Sequence, residues 1–89
     1  MNSAQRELHR AALLRVLEAN QTYWGLSAAV VAVHVATFGF PGRGVELAAT
    51  ELRYLGDKGF VHVPSKAISP ENQTRRITAA GRDWLAQNE

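Results

Sequence analysis

The sequence predicts a mainly α-helical domain with a small β-hairpin, an α+β fold, and three observations predict it. Apolar residues recur at helical spacing in three stretches before residue 59. Phe60-Val61-His62-Val63 and Thr74-Arg75-Arg76-Ile77 then read as a strand pair separated by a polar tip. Thr78 follows where a last helix needs an N-cap.

The chain of 89 residues has room for one core, so 1–89 reads as a single domain. Its 46% hydrophobic and 20% charged residues are those of an ordinary globular protein. Cys is absent, which excludes disulfides, thiolate metal sites and thiol nucleophiles, and a small unstapled domain suits the cytoplasm. Net charge is +2 and the sequence pI about 9.5, a balance permissive for nucleic acid without being diagnostic of it. The apolar run Leu26 to Phe40 is interrupted by Ser27, His34, Thr37 and Gly39 and falls short of the roughly 18 to 20 residues of a membrane span. The N-terminal stretch has Glu7 and no cleavage-site pattern, so no signal peptide is expected.

Residues from about Ser3 to Asn20 place Leu8, Ala12, Leu13, Val16 and Leu17 on one arc, with Glu7, Arg15 and Glu18 opposite. This is an amphipathic helix, capped by Asn2 or Ser3 and stopped at Asn20. Tyr23-Trp24 could add a brief strand. Ser27 suits the N-cap of a second helix running to about Phe38, with Leu26 and Val31 as its hydrophobic staple. The competing reading is a strand, because Val30, Val31, Val33 and Val35 are β-branched.

The run Gly39-Phe40-Pro41-Gly42-Arg43-Gly44 demands a turn. A third helix is expected over about Val45 to Lys58. Val45, Ala48, Ala49, Leu52, Leu55 and Gly56 share its inner face, and Glu46, Leu47, Thr50, Glu51, Arg53, Tyr54, Asp57 and Lys58 point outward. Gly59 ends it as a C′ glycine. Pro64 stops the strand that follows, and Thr74 to Ile77 returns. The last helix turns Ile77, Ala80, Gly81, Trp84 and Leu85 inward and frays after Ala86.

Helix, helix, tight turn, helix, hairpin, helix is the order of the winged helix-turn-helix, in which the hairpin is the wing. A resemblance adds to this. Glu51-Leu52-Arg53-Tyr54-Leu55-Gly56-Asp57-Lys58-Gly59-Phe60-Val61, followed by Arg75-Arg76-Ile77-Thr78-Ala79-Ala80-Gly81, resembles the third helix and wing of the arsenic-repressor-like and multiple-antibiotic-resistance-regulator-like families. The opening Met1 to Arg10 is similar to small arsenic-repressor-like proteins of Mu-like phages and prophages. The resemblance implies a transcriptional regulator that places its third helix, about 45–58, in the major groove and its wing, about 60–77, on phosphates.

Arg43, Thr50, Arg53, Tyr54, Lys66, Arg75 and Arg76 are the DNA-binding candidates. Arg43, Lys66, Arg75 and Arg76 would meet phosphates, although strand alternation sends Arg75 and Arg76 to opposite faces. Thr50 is the small polar residue placed to reach a base edge. Arg43 and Arg53 could equally be exposed charges or partners of a neighbouring Glu, and the alternative for Arg75-Arg76 is a solvated strand with its charges facing outward. The acid at Glu46, Glu51 and Asp57, beside Leu47 and Tyr54, supports an alternative: a protein-interaction or assembly module that keeps the scaffold without reading DNA.

The second helix is apolar on nearly every side, which asks for burial on every side. Leu14, Val31, Val35 and Trp84 are therefore expected at a homodimer interface. No metal is expected, because His9, His34 and His62 sit on three separate elements. No cofactor and no catalysis are expected either, since the glycine run lacks the Lys-Ser/Thr of a phosphate loop and no nucleophile–base pair is apparent.

Overall fold

The computed structural model describes residues 3–21, 25–36, 44–64 and 73–88. Seven elements follow one another: α1 (Ser3–Ala19), β1 (Leu26–Ser27), α2 (Ala28–Val35), α3 (Gly44–Asp57), β2 (Val61–His62), β3 (Thr74–Ile77) and α4 (Ala79–Gln87). The fold is mainly helical, with one small antiparallel sheet of order β1-β3-β2. In register, Leu26 faces Arg75 and Ser27 faces Thr74, while Val61 faces Ile77 and His62 faces Arg76.

Local chemistry sets most boundaries. Asn20 closes α1 through its backbone N–H and its side-chain amide, which donate to the Val16 carbonyl at 3.1 and 2.9 Å. Ser27 caps α2, its hydroxyl accepting from the Val30 N–H at 3.4 Å. The helix reading of this β-branched stretch prevails over the strand reading because the cap and the staple act together: Val31 is buried and Leu26 packs against the core. Gly59, at φ +80°, ends α3 with the paired bonds of a Schellman motif, Gly59 N–H to Gly56 C=O at 3.0 Å and Phe60 N–H to Leu55 C=O at 2.9 Å. Thr78 caps α4 by accepting from the Gly81 N–H at 3.1 Å, and donates its own hydroxyl to the Gly59 carbonyl at 2.6 Å. The exit of α3 and the start of α4 are thereby tied together.

The core joins Leu13, Leu14 and Leu17 of α1 with Val31 and Val35 of α2, Leu52 and Leu55 of α3, Val61 and Ile77 of the sheet, and Leu85 of α4. Gly81 lets α4 approach the start of β2, because a Cβ there would stand 2.3 Å from the Phe60 carbonyl oxygen. Several facings differ from those expected. Leu8 and Val45 are exposed, as are Ala80 and Gly56. On α2 only Ala28, Val31 and Val35 are buried, while Ala29, Val30 and Val33 face outward. One side of this short helix meets α1 and α3.

That placement corrects the interface expected from sequence. Leu14 and Val31 are 0% exposed and Val35 2% exposed, enclosed by the chain's own helices, so none offers surface to a second subunit. Trp84 is half-buried, its ring tilted 34° to that of Phe60 at 5.9 Å between centroids. Asn2, the Tyr23-Trp24 pair, the Gly39-to-Arg43 turn and the hairpin tip with Lys66 lie outside the described residues.

Candidate nucleic-acid interface

α3 and the sheet meet along an open groove of about 370 Å³, lined by Leu52, Arg53 and Gly56 of α3, Val61 and His62 of β2, Val63, and Arg75 of β3. Each contributor is held by a local constraint. Leu52 is fully buried and anchors α3, which turns the next residue, Arg53, to solvent. Val61 and Ile77 are paired and both buried, which fixes the register of the hairpin and with it the height of Arg75 along β3. Gly25, at φ +79°, admits β1 beside β3: a Cβ there would stand 2.2 Å from the Arg75 carbonyl oxygen.

The groove is cationic. Among the described residues neither Arg53 nor Arg75 has a carboxylate within ion-pair distance; the Arg75 guanidinium donates only to the Gln73 carbonyl, at 3.4 Å. Burial, and after it the positive charge of Arg53, holds Arg75 below the ordinary arginine range. The two guanidiniums, from elements far apart in sequence, feel one another across the groove. An anion placed there would relieve both the repulsion and the lost hydration.

The other candidates divide. Arg76 does not line this groove; its Cγ stands beside Gly25, and strand alternation sets its side chain on the other face of β3 from that of Arg75. Thr50 is exposed on the outer face of α3 in line with Arg53, its hydroxyl donating to the Glu46 carbonyl at 2.9 Å and leaving the oxygen's acceptor capacity outward. Tyr54 is engaged elsewhere: the Arg10 guanidinium lies 3.7 Å above its ring centroid and the Lys58 ammonium 5.6 Å from it. Arg43 and Lys66 lie outside the described residues.

Glu51 is the main correction on α3. It is 4% exposed, turned inward toward α1, where Arg10 Nε donates to its carboxylate at 2.5 Å and Arg6 Nε lies 3.7 Å away. Arg10 also donates to Glu7 at 2.9 Å. Burial lowers the pKa of Arg10, but the hydrogen bonds to Glu51 and Glu7 outweigh it and hold it above the ordinary arginine value. A signal for this was available. Ala48, Glu51, Leu52 and Leu55 stand at the i, i+3, i+4, i+7 spacing of a buried stripe, and all four are buried. The charge of Glu51 argued for solvent, and its partner, Arg10, lies 41 residues away in the chain. His62 and Gly56 also line the groove without having been singled out in the sequence.

With Glu51 withdrawn, the acid left on the outer face of α3 is Glu46 in its first turn and Asp57 in its last, with Thr50 and Arg53 between them. Among the described residues no group of three or more His, Cys, Asp or Glu is placed to hold a metal ion, and no helix is long and apolar enough to cross a membrane. Comparison of the chain with protein-family models, with curated proteins and with solved structures gave no match.

Proposed function

We propose that this chain is a winged helix-turn-helix protein of the arsenic-repressor-like kind that binds double-stranded DNA and regulates transcription. In this reading α3 enters the major groove and the β2–β3 hairpin lies on flanking phosphates. The element order supports it, since α2 and α3 form a helix pair followed at once by an antiparallel hairpin, with β1 completing the sheet.

The observation that carries the reading is the convergence of Arg53 and Arg75 on one groove that no carboxylate lines among the described residues. A helix that reads bases and a wing that grips the backbone need cations at their junction, where a phosphate passes from one to the other. Thr50, exposed one turn before Arg53 on α3, is in this reading the side chain that touches a base edge. The withdrawal of Glu51 into a buried ion pair removes one of the three acids that favoured a protein-binding module and leaves Glu46 and Asp57 at the two ends of α3. A cytoplasmic location belongs to the same reading.

The test is binding to a labelled duplex by fluorescence anisotropy across about 50 to 200 mM salt, where log K should fall linearly with log salt at a slope of about −0.9 per phosphate neutralised. Absence of binding at the low end by protein with intact helical circular dichroism would overturn the proposal. Selection from random duplexes then separates a sequence reader from a general DNA binder.

A further inference from the structure

We propose that the groove between α3 and the sheet is also the site of an aliphatic carboxylate, a fatty-acid-like anion whose head lies between Arg53 and Arg75 and whose tail lies on the apolar floor beside them, and that this ligand and DNA exclude one another. The binding itself stands without DNA, whereas the exclusion rests on the proposed function.

The floor carries the inference. Leu52 is fully buried and Val61 nearly so, yet Val63 remains 42% exposed beside them. Val61 faces Ile77 in register, and two residues further along, the same register sets Val63 opposite Arg75, so alternation places Val61, Val63 and Arg75 on one face of the sheet. Gly56 of α3 has no side chain to fill the space above them; among the described residues the nearest atom to an added Cβ would be Val61 Cγ2, at 3.8 Å. The groove, at about 370 Å³, falls within the roughly 300 to 1,000 Å³ of small-molecule sites and has their make-up, mostly apolar with a few converging polar groups. A DNA phosphate uses the two guanidiniums and has no contact to make with Leu52, Val61 or Val63.

The rim sets the chemistry of the head. Arg53 is exposed and Arg75 half-buried, and no carboxylate lines the groove among the described residues. A carboxylate meets a guanidinium through two parallel hydrogen bonds in one plane, a match that an ammonium or a hydroxyl head does not offer. Such an anion restores to Arg75 what burial and the charge of Arg53 take from it. The walls set the chemistry of the tail. They are leucine and valine side chains, and no Phe, Tyr or Trp lines the groove among the described residues, so a flexible alkyl chain is favoured over a stacked ring. Each methylene laid on this floor should tighten binding by about two- to fourfold. Because the head engages both Arg53 and Arg75, the ligand and a DNA phosphate compete for the same two cations.

Titration of the full chain with sodium octanoate, followed by amide NMR shifts without nucleic acid, tests the site. The expected result is saturable shifts at Gly56, Val63 and Arg75 with a dissociation constant between about 10 µM and about 1 mM. Hexanoate should bind about fourfold or more weaker, and acetate, which has no tail, and octylammonium, whose head has the wrong charge, at least about tenfold weaker. Gly56→Leu fills the floor from an exposed helical position and Arg75→Gln removes half of the head site; each should weaken octanoate at least about tenfold with helical circular dichroism unchanged. In anisotropy, octanoate should release a bound duplex at a midpoint that follows its own dissociation constant, while acetate at equal ionic strength leaves the duplex bound. Absence of shifts up to about 10 mM octanoate, acetate bound as tightly as octanoate, or a folded Gly56→Leu variant that binds octanoate normally would each overturn the site. Octanoate bound with the duplex still held would overturn the exclusion. A chain that binds octanoate and no duplex at any salt concentration would sink the proposed function and leave this site standing.

Discussion

Glu51 of α3 and Arg10 of α1 form an ion pair with Nε–Oε2 at 2.5 Å, their side chains only 5% and 13% exposed. Arg10 then stacks its guanidinium on Tyr54, one helical turn further along α3. The pair fastens the first helix to the helix that lines the cationic groove. Removing one partner leaves a charge stranded in a mostly dry place, whereas removing both can be nearly neutral. Glu51→Gln should therefore lower unfolding free energy by about 2 to 4 kcal/mol. Glu51→Leu with Arg10→Met should recover most of that loss. Urea denaturation of Glu51→Leu, Arg10→Met and the double variant measures the coupling directly.

Gly59 and Gly81 should respond to alanine for different reasons. At Gly59 nothing lies within 4 Å of an added Cβ, and the cost is the backbone's: φ is +80°, so Gly59→Ala should lose about 1 kcal/mol. At Gly81 alanine would ordinarily help a helix, but its Cβ would meet the Phe60 carbonyl at 2.3 Å and Ile77 Cγ1 at 2.8 Å. Gly81→Ala should cost about 2 to 3 kcal/mol despite the better helix former. Thermal unfolding ranks the two, with a midpoint shift of about 4 to 8 °C per kcal/mol in a domain this small.

The faces of α2 are tested by one substitution at two positions. Val31 is completely buried and Val33 is 70% exposed. Val33→Gln should change stability by no more than about 0.5 kcal/mol, as surface changes do. Val31→Gln buries an amide without partners and should cost about 2 kcal/mol or more. Equal effects, read by denaturant midpoint, would mean that the outer face of α2 is covered.

For the proposed DNA interface, Arg53→Ala and Arg75→Ala should each weaken duplex binding and make the salt slope shallower by about one. Arg76→Ala, on the opposite side of β3, should leave the slope unchanged. Anisotropy titrations at four salt concentrations distinguish the three. A common effect of all three variants would point to net charge alone.

How much of this was legible in the chain follows from the range over which each cause acts. Ser27, Gly59 and Thr78 mark the start of α2, the end of α3 and the start of α4 through bonds made within three to five residues, so spacing and residue type suffice to read them. The periodicity of Leu13, Leu17, Leu52 and Leu55 likewise declares the core, because burial follows the helical repeat. Facing at the edges of a helix is a different matter. Whether Leu8 is covered, or whether Glu51 turns inward, depends on what the neighbouring element presents at that height. The two-residue strand β1 exists only because β3 runs beside it.

The sequence by itself determined an α+β chain of four helices and a hairpin, its caps and most of its buried stripe, because these rest on local hydrogen bonds and on the repeat of apolar side chains. Tertiary structure decided which charges remain at the surface. It drew Glu51 out of the helix face and into Arg10, brought Arg53 and Arg75 to a shared groove, and enclosed Leu14, Val31 and Val35 while leaving Leu8 outside. Charges act across space between elements separated by tens of residues, and burial at a helix edge is settled by the partner that packs there.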